Sequence, residues 1–172
     1  ATKLHTFPIP SSVTSIGRYA FKETKLTSVT IPAGLGSIQQ HTFGIIRTLA
    51  EVIFEAGSVC TSIGSDAFTN CSSTEFTSIT IPASVNSIGD RTFQGATNLA
   101  TVTFENGSLL TTIGATIFSN SGVTTVSAPQ NVISGQGWTV GTGNTIGDKG
   151  GILVILLVAQ VTQFANPQPI PR

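Results

Sequence analysis

The sequence predicts a mainly β fold: a right-handed solenoid with a parallel sheet, about six repeats of 22–27 residues, plus an apolar C-terminal strand. Three observations carry this. The phrase "LTSVTIPAGLGSIQQHTF" at residues 26–43 returns as "FTSITIPASVNSIGDRTF" at 76–93, keeping its apolar letters and changing its polar ones. Unit starts recur at Leu4, Leu26, Leu49, Phe76, Leu99 and, more weakly, Val123, a period that suits stacked coils. Behind each start, Ile is followed five residues later by Phe: Ile16 and Phe21, Ile38 and Phe43, Ile63 and Phe68, Ile88 and Phe93, Ile113 and Phe118.

Each unit opens on L-x-x-V-x-I/F, whose β-branched neighbours favour an extended chain with two apolar side chains on one face. A short strand is therefore expected at every unit start. Pro10, Pro32 and Pro82 end three of these strands, because proline has no N–H to continue the pairing. The units at Leu49 and Leu99 read "FEAGSVCTSIG" and "FENGSLLTTIG" instead, two residues longer at the turn. Long and short units alternate, so 26–75 and 76–125 are one duplication. Short helical turns are expected near the Phe positions. Ile133 and Trp138 continue the Ile and Phe columns after a shortened turn, which assigns 1–138 to the solenoid. Residues 139–172 are assigned to a Gly-rich connection and an apolar strand and tail.

A coil of this size cannot bury its apolar face alone; stacking puts Leu on Leu, Ile on Ile and Phe on Phe in one interior. The 172 residues, 40% of them hydrophobic, suffice for such a core. Only 9% are charged, against about a quarter in ordinary domains, and the formal net charge is zero. Eight scattered Lys and Arg provide no basic patch for nucleic acid, and a near-neutral surface favours association. The chain opens "ATKL" and has no methionine, which reads either as a processed protein or as an excised fragment.

The unit phrase, most specifically "SIGRYAF" (15–21), "SIGSDAF" (62–68) and "SIGDRTF" (87–93), resembles the BspA-type leucine-rich repeat family over residues 4–126. The resemblance implies a leucine-rich-repeat solenoid. It also implies a non-enzymatic extracellular or cell-surface role in adhesion and protein binding, since the members are chiefly surface or secreted proteins. Gln39 departs from the family's Gly, and Thr42 and Thr92 from its small Ala, changes a solenoid is expected to tolerate.

No phosphate loop, catalytic triad or paired carboxylates stand out from the repeat, so no enzyme, cofactor or metal site is expected. His5 and His41 are not in a ligand-spaced cluster. Cys60 and Cys71 read as free, buried thiols, with a local disulfide as the alternative. Two residues before each Phe lies a variable column of Tyr19, His41, Asp66, Arg91 and Thr116, expected to be exposed. With Arg18 and Asp90 beside it, this column is the candidate surface for a host or matrix protein: Arg18, Tyr19, His41, Asp66, Asp90 and Arg91. On the outer strand face, Ser28 and Thr30, Ser78 and Thr80, Thr101 and Thr103, and Thr125 and Ser127 make two hydroxyl ladders. A third reading, ice binding, rests on them, and Glu51 and Ile53 interrupt it.

The run "ILVILLVA", Ile152 to Ala159, is too short to span a bilayer and reads as a strand apolar on both faces. At the other end, the chain enters its first unit with little to cover Leu4, Ile16 and Phe21. Head-to-tail self-assembly into filaments follows as the leading expectation. Its residues are Ile152, Leu153, Val154, Ile155, Leu156, Leu157 and Val158 against Leu4, Ile16 and Phe21 of a neighbouring copy. The alternatives are that the strand folds onto its own core, and that the chain is an adhesin module.

Overall fold

A computed structural model describes residues 7–136, 141–144 and 153–157. In chain order the elements are β1 (Ser28–Ile31), β2 (Ser37–Ile38), β3 (Glu51–Phe54), β4 (Ser62–Ile63), β5 (Ser78–Ile81) and β6 (Ser87–Ile88). They continue with β7 (Thr101–Phe104), β8 (Thr112–Ile113), β9 (Thr125–Ala128), α1 (Gln130–Gly135), β10 (Gly141–Asn144) and β11 (Leu153–Leu157). The odd-numbered strands β1 to β9 open successive coils, as the unit phrase predicts, and β1 and β5 stop immediately before Pro32 and Pro82. Within each, side chains alternate as the period-2 rule requires: Val29 and Ile31, Ile79 and Ile81, and Val102 and Phe104 are buried between outward Ser and Thr.

The two residues of each "SI" or "TI" pair form a second parallel ladder, ordered β2-β4-β6-β8, with Ile38, Ile63, Ile88 and Ile113 in register. In β4, β6 and β8 the next residue is the glycine of the unit phrase, Gly64, Gly89 and Gly114. A Cβ on Gly64 would lie 2.7 Å from the Gln40 amide nitrogen and 2.8 Å from the Gln39 carbonyl carbon of the coil before. Coils can approach this closely only where that Cβ is missing. Gln39 occupies the equivalent position in the preceding coil, and the ladder begins at β2; Ser15 and Ile16 do not join it. The solenoid tolerates Gln39 at the loss of one rung. Thr42 and Thr92 are tolerated differently. Both are fully buried, and their hydroxyls donate to the Gln39 carbonyl at 2.8 Å and the Gly89 carbonyl at 2.7 Å.

The Phe segments correct one expectation, for they are not helical. Each coil places two residues in the left-handed region, four apart, flanking its Phe on both sides. They are Tyr19 (φ 63°) and Glu23 (59°), His41 (55°) and Ile45 (62°), Asp66 (58°) and Asn70 (54°), Arg91 (53°) and Gly95 (68°), and Thr116 (57°) and Asn120 (52°). Alternate amides then point along the solenoid axis. Phe21 N–H donates to the Thr42 carbonyl at 2.9 Å, Phe43 to Ala67 at 3.0 Å, Phe68 to Thr92 at 2.9 Å and Phe93 to Ile117 at 2.9 Å. An α-helix would spend those amides within its own coil. Left-handed conformation costs a non-glycine residue roughly 1–2 kcal/mol, and a hydrogen bond to the next coil offsets it at each rung. This third ladder holds the Phe rings in a column with centroid spacings of 5.3, 5.5, 5.7 and 5.9 Å from Phe21 to Phe118.

The strand sheet is less continuous than predicted. β1 pairs with β3, and β5, β7 and β9 pair in register, but no ladder joins β3 to β5. The break falls in the coil that is longest in sequence, where Ser73, Thr74 and Glu75 are extra relative to the coil that begins at Leu99. A cleft of about 270 Å³ between Ile53, Phe54, Ser78 and Thr80 lies at the junction.

Long and short coils are tied by a feature the alternation conceals. Glu55 and Glu105, at the turns of the long coils, accept the Ala33 and Ala83 amides just after Pro32 and Pro82, each at 3.0 Å. The turn amide of each short coil is thus satisfied by the next, long coil. The fifty-residue duplication is therefore the period of a bonded pair.

Beyond β9 the coil pattern changes. Pro129 (φ −71°, ψ 158°) caps a six-residue helix, so Ile133 reaches the core from α1 rather than from a short strand. Trp138 lies outside the described residues. β11 pairs in parallel with β9, Val154 opposite Thr125 through Leu157 opposite Ala128, and β10 pairs antiparallel on its other side. Residues 153–157 are thus a further rung of this chain's own sheet, with both backbone edges occupied, as in the fold-back alternative. Ile152, Val158 and Leu4 lie outside the described residues. The first-coil edge is also less open than expected. Ile16 is buried, and the ring of Phe7 sits 5.7 Å from that of the partly buried Phe21, tilted at 53° across the end of the column.

Candidate binding face

The column two residues before each Phe is a site built by backbone conformation. Left-handed φ at Tyr19, His41, Asp66 and Arg91 places four side chains one above another on the turn flank, rung by rung. The bonds that hold the column belong to the backbone, so its side chains are free to differ. Tyr19 and His41 stack with ring centroids 5.1 Å apart and planes at 17°. His41 Nε2 is 3.6 Å from Asp66 Oδ2. Arg91 completes the row with a two-pronged bond, Nε to Oδ1 and Nη2 to Oδ2 of Asp66, both 2.9 Å. This is the fork geometry that makes Arg–carboxylate pairs specific. Hydrogen bonding and charge pairing with Asp66 push the Arg91 guanidinium above its ordinary value, so it stays a cation.

The four residues are brought together, but not equally offered. Tyr19 is half exposed and the Arg91 side chain is 46% exposed, whereas that of His41 is 23% and that of Asp66 only 7%. Asp66 is therefore a buried link rather than a contact residue, which corrects the expectation of a uniformly exposed column. Asp90 is exposed but already engaged: its Oδ1 accepts the Ala115 amide of the next coil at 2.7 Å. Arg18 is exposed beside Tyr19 and Lys22 lies 5.7 Å from the Tyr19 ring centroid, also 3.2 Å from Glu23. The exposed chemistry of this face is Arg18, Tyr19, the edge of His41, Asp90 and Arg91. It offers aromatic and cationic surface with one carboxylate, and no nucleophile and base in contact. Among the described residues there is no group of three His, Cys, Asp or Glu suited to a metal ion.

The strand face carries the hydroxyl ladders as two separated blocks. Exposed Glu51 and Ile53 stand between them, where the sheet itself is broken.

Cys60 and Cys71 are free and buried, and each substitutes for an apolar or small residue of a core column. Burial raises both thiols; Cys71, donating to the Phe43 carbonyl at 3.2 Å, is pushed up to about 12. No helix among the described residues is long and apolar enough to cross a membrane.

The geometry of stacked coils agrees with the comparison by sequence. The profile of the BspA type leucine rich repeat region matches residues 1–77 and 61–138, with six copies. The chain belongs to the BspA-type leucine-rich repeat family. No curated protein matches it. Among solved structures, the pneumococcal vaccine antigen PcpA is 22% identical, with a TM-score of 0.59 over 73% of this chain and 40% of that one. A leucine-rich repeat protein from Bacteroides ovatus is 23% identical, with a TM-score of 0.50 over 73% of this chain and 43% of that one. These likenesses establish the shared solenoid fold. The chain spans less than half the length of either structure.

Proposed function

We propose that this BspA-type repeat chain is a non-catalytic binding module of an extracellular or cell-surface protein. Its contact face is the turn-flank column at Arg18, Tyr19, His41 and Arg91. The observation that supports this reading is the division of labour within the column. Inter-coil backbone bonds and the buried Asp66 hold the row rigid, while Tyr and Arg, the types that dominate interface energetics, project from it. A preorganised row loses little conformational freedom on binding. The family's surface and secreted members support the location, and a host or matrix protein is the partner class.

Self-assembly remains the competing reading, and the charge distribution supports it. Over described residues 7–50, four cations and one acid give 4 − 1 = +3, while residues 51–136 carry one cation and six acids, 1 − 6 = −5. Oppositely charged ends favour head-to-tail contacts.

The two readings separate in one experiment. Immobilised chain is expected to retain a matrix or host protein from an extract. Tyr19→Ala, His41→Ala and Arg91→Ala together are expected to weaken capture of that protein at least tenfold without changing the circular dichroism spectrum. Undiminished capture rejects this face, and filaments of the purified chain in electron microscopy would return self-assembly to first place.

A further inference from the structure

One feature outside the column has no structural task. A groove of about 590 Å³ on the flank between the turns and the strands is lined by Glu23, Thr24, Lys25, Ile45, Arg47 and Thr48. Arg47 and Thr48 also line a neighbouring hollow of about 460 Å³, together with Thr27 and the Ser72–Glu75 segment that contains the insertion. The two form one trough across three coils. Lys25 and Arg47 are exposed and make no ion pair or side-chain hydrogen bond among the described residues, unlike Arg91 and Lys22. The Thr27 hydroxyl, in the same trough, is buried without a hydrogen-bond partner, a state that ordinarily costs a protein stability.

We propose that this trough binds an acidic carbohydrate, a chain of uronate or sulfated sugars. Two unpaired cations set the demand for anionic groups. Around them the lining is hydroxyls and two carboxylates, Glu23 and Glu75, which accept from sugar hydroxyls; the apolar contribution is Ile45 alone. A peptide partner would call for an apolar pocket to anchor a side chain, and the trough has none. The +3 end of the solenoid steers an anionic ligand to it although the whole chain is neutral. The inserted loop that breaks the strand sheet also builds one wall, which gives the longest coil a purpose. The proposal does not depend on the turn-flank column.

Calorimetry of the whole chain with a heparin octasaccharide, a galacturonate octamer, maltooctaose and an octaglutamate peptide tests it. At least one of the two acidic sugars is expected to bind, more weakly as salt is raised, with no response to maltooctaose. Lys25→Gln with Arg47→Gln is expected to weaken binding at least tenfold. Thr27→Val, which keeps the fold's apolar volume, is expected to weaken it about threefold; Arg91→Gln is expected to leave it unchanged. Absence of binding to both acidic sugars overturns the proposal. So does equal affinity for octaglutamate, or binding that survives the double substitution or is lost with Arg91→Gln.

Discussion

Phe93→Ala is expected to destabilise the chain by about 3–5 kcal/mol, the range for a fully buried aromatic, and to do so cooperatively across the solenoid. Phe93 is fully buried between Phe68 at 5.7 Å and Phe118 at 5.9 Å, so its removal opens a void with a stacked ring on each side. Neighbouring rings cannot collapse into that void, because the turn ladder fixes their backbones. The loss is a large share of a typical domain's stability. Phe21→Ala is expected to cost less, since Phe21 is already partly exposed under Phe7. Urea titration followed by far-ultraviolet circular dichroism measures both. Equal losses at the two positions would contradict the stacked column.

Alkaline pH is expected to unfold the chain through Cys71. Its folded-state value is raised to about 12 from 9.0, chiefly by desolvation. Below pH 9 the thiol is protonated in both states and contributes no pH dependence. Above pH 9 the unfolded chain releases the proton and the folded chain does not, so stability falls by about 1.4 kcal/mol per pH unit. The total approaches roughly 4 kcal/mol near pH 12. Urea titrations at pH 8 and pH 10.5 under reducing conditions are expected to show an extra loss of about 2 kcal/mol relative to Cys71→Ser. Serine is the residue at the equivalent Ser121, where its hydroxyl donates to the Phe118 carbonyl at 2.7 Å. Identical pH dependence in the two proteins would show that Cys71 is not buried in the folded state.

The parts of the fold legible in the sequence are those that apolar periodicity encodes. Val29 and Ile31, Ile38 and Phe43 stand at fixed offsets because stacking requires the same column in every coil, and strand, Ile ladder and Phe stack all appear where those offsets place them. The left-handed turns were hidden because six of the ten residues that adopt them from Tyr19 to Asn120 are neither Gly, Asn nor Asp, the residues whose identity points to that conformation. Asn70, Gly95 and Asn120 in one column were the available hint, since Asn and Gly tolerate positive φ best. The break between β3 and β5 was signalled by the longest coil, though length alone does not say whether an insertion bulges outward or parts a sheet. For the candidate face, the column itself was legible, but the burial of Asp66 was not. That depends on Arg91, 25 residues away, bonding across a coil boundary. The roles of Glu55 and Glu105 were recoverable in principle, for both lie 22 residues after the amide they cap.

The central claim is that the coils are locked to one another through the turn ladder and do not carry autonomous helical turns. Amide hydrogen exchange resolved by residue tests it most directly. Phe43, Phe68 and Phe93 amides are expected to exchange together, at the slow rate of global unfolding, because each donates to the following coil. Independent, fast exchange of residues 39–45, 64–70 and 89–95 by local opening would contradict it.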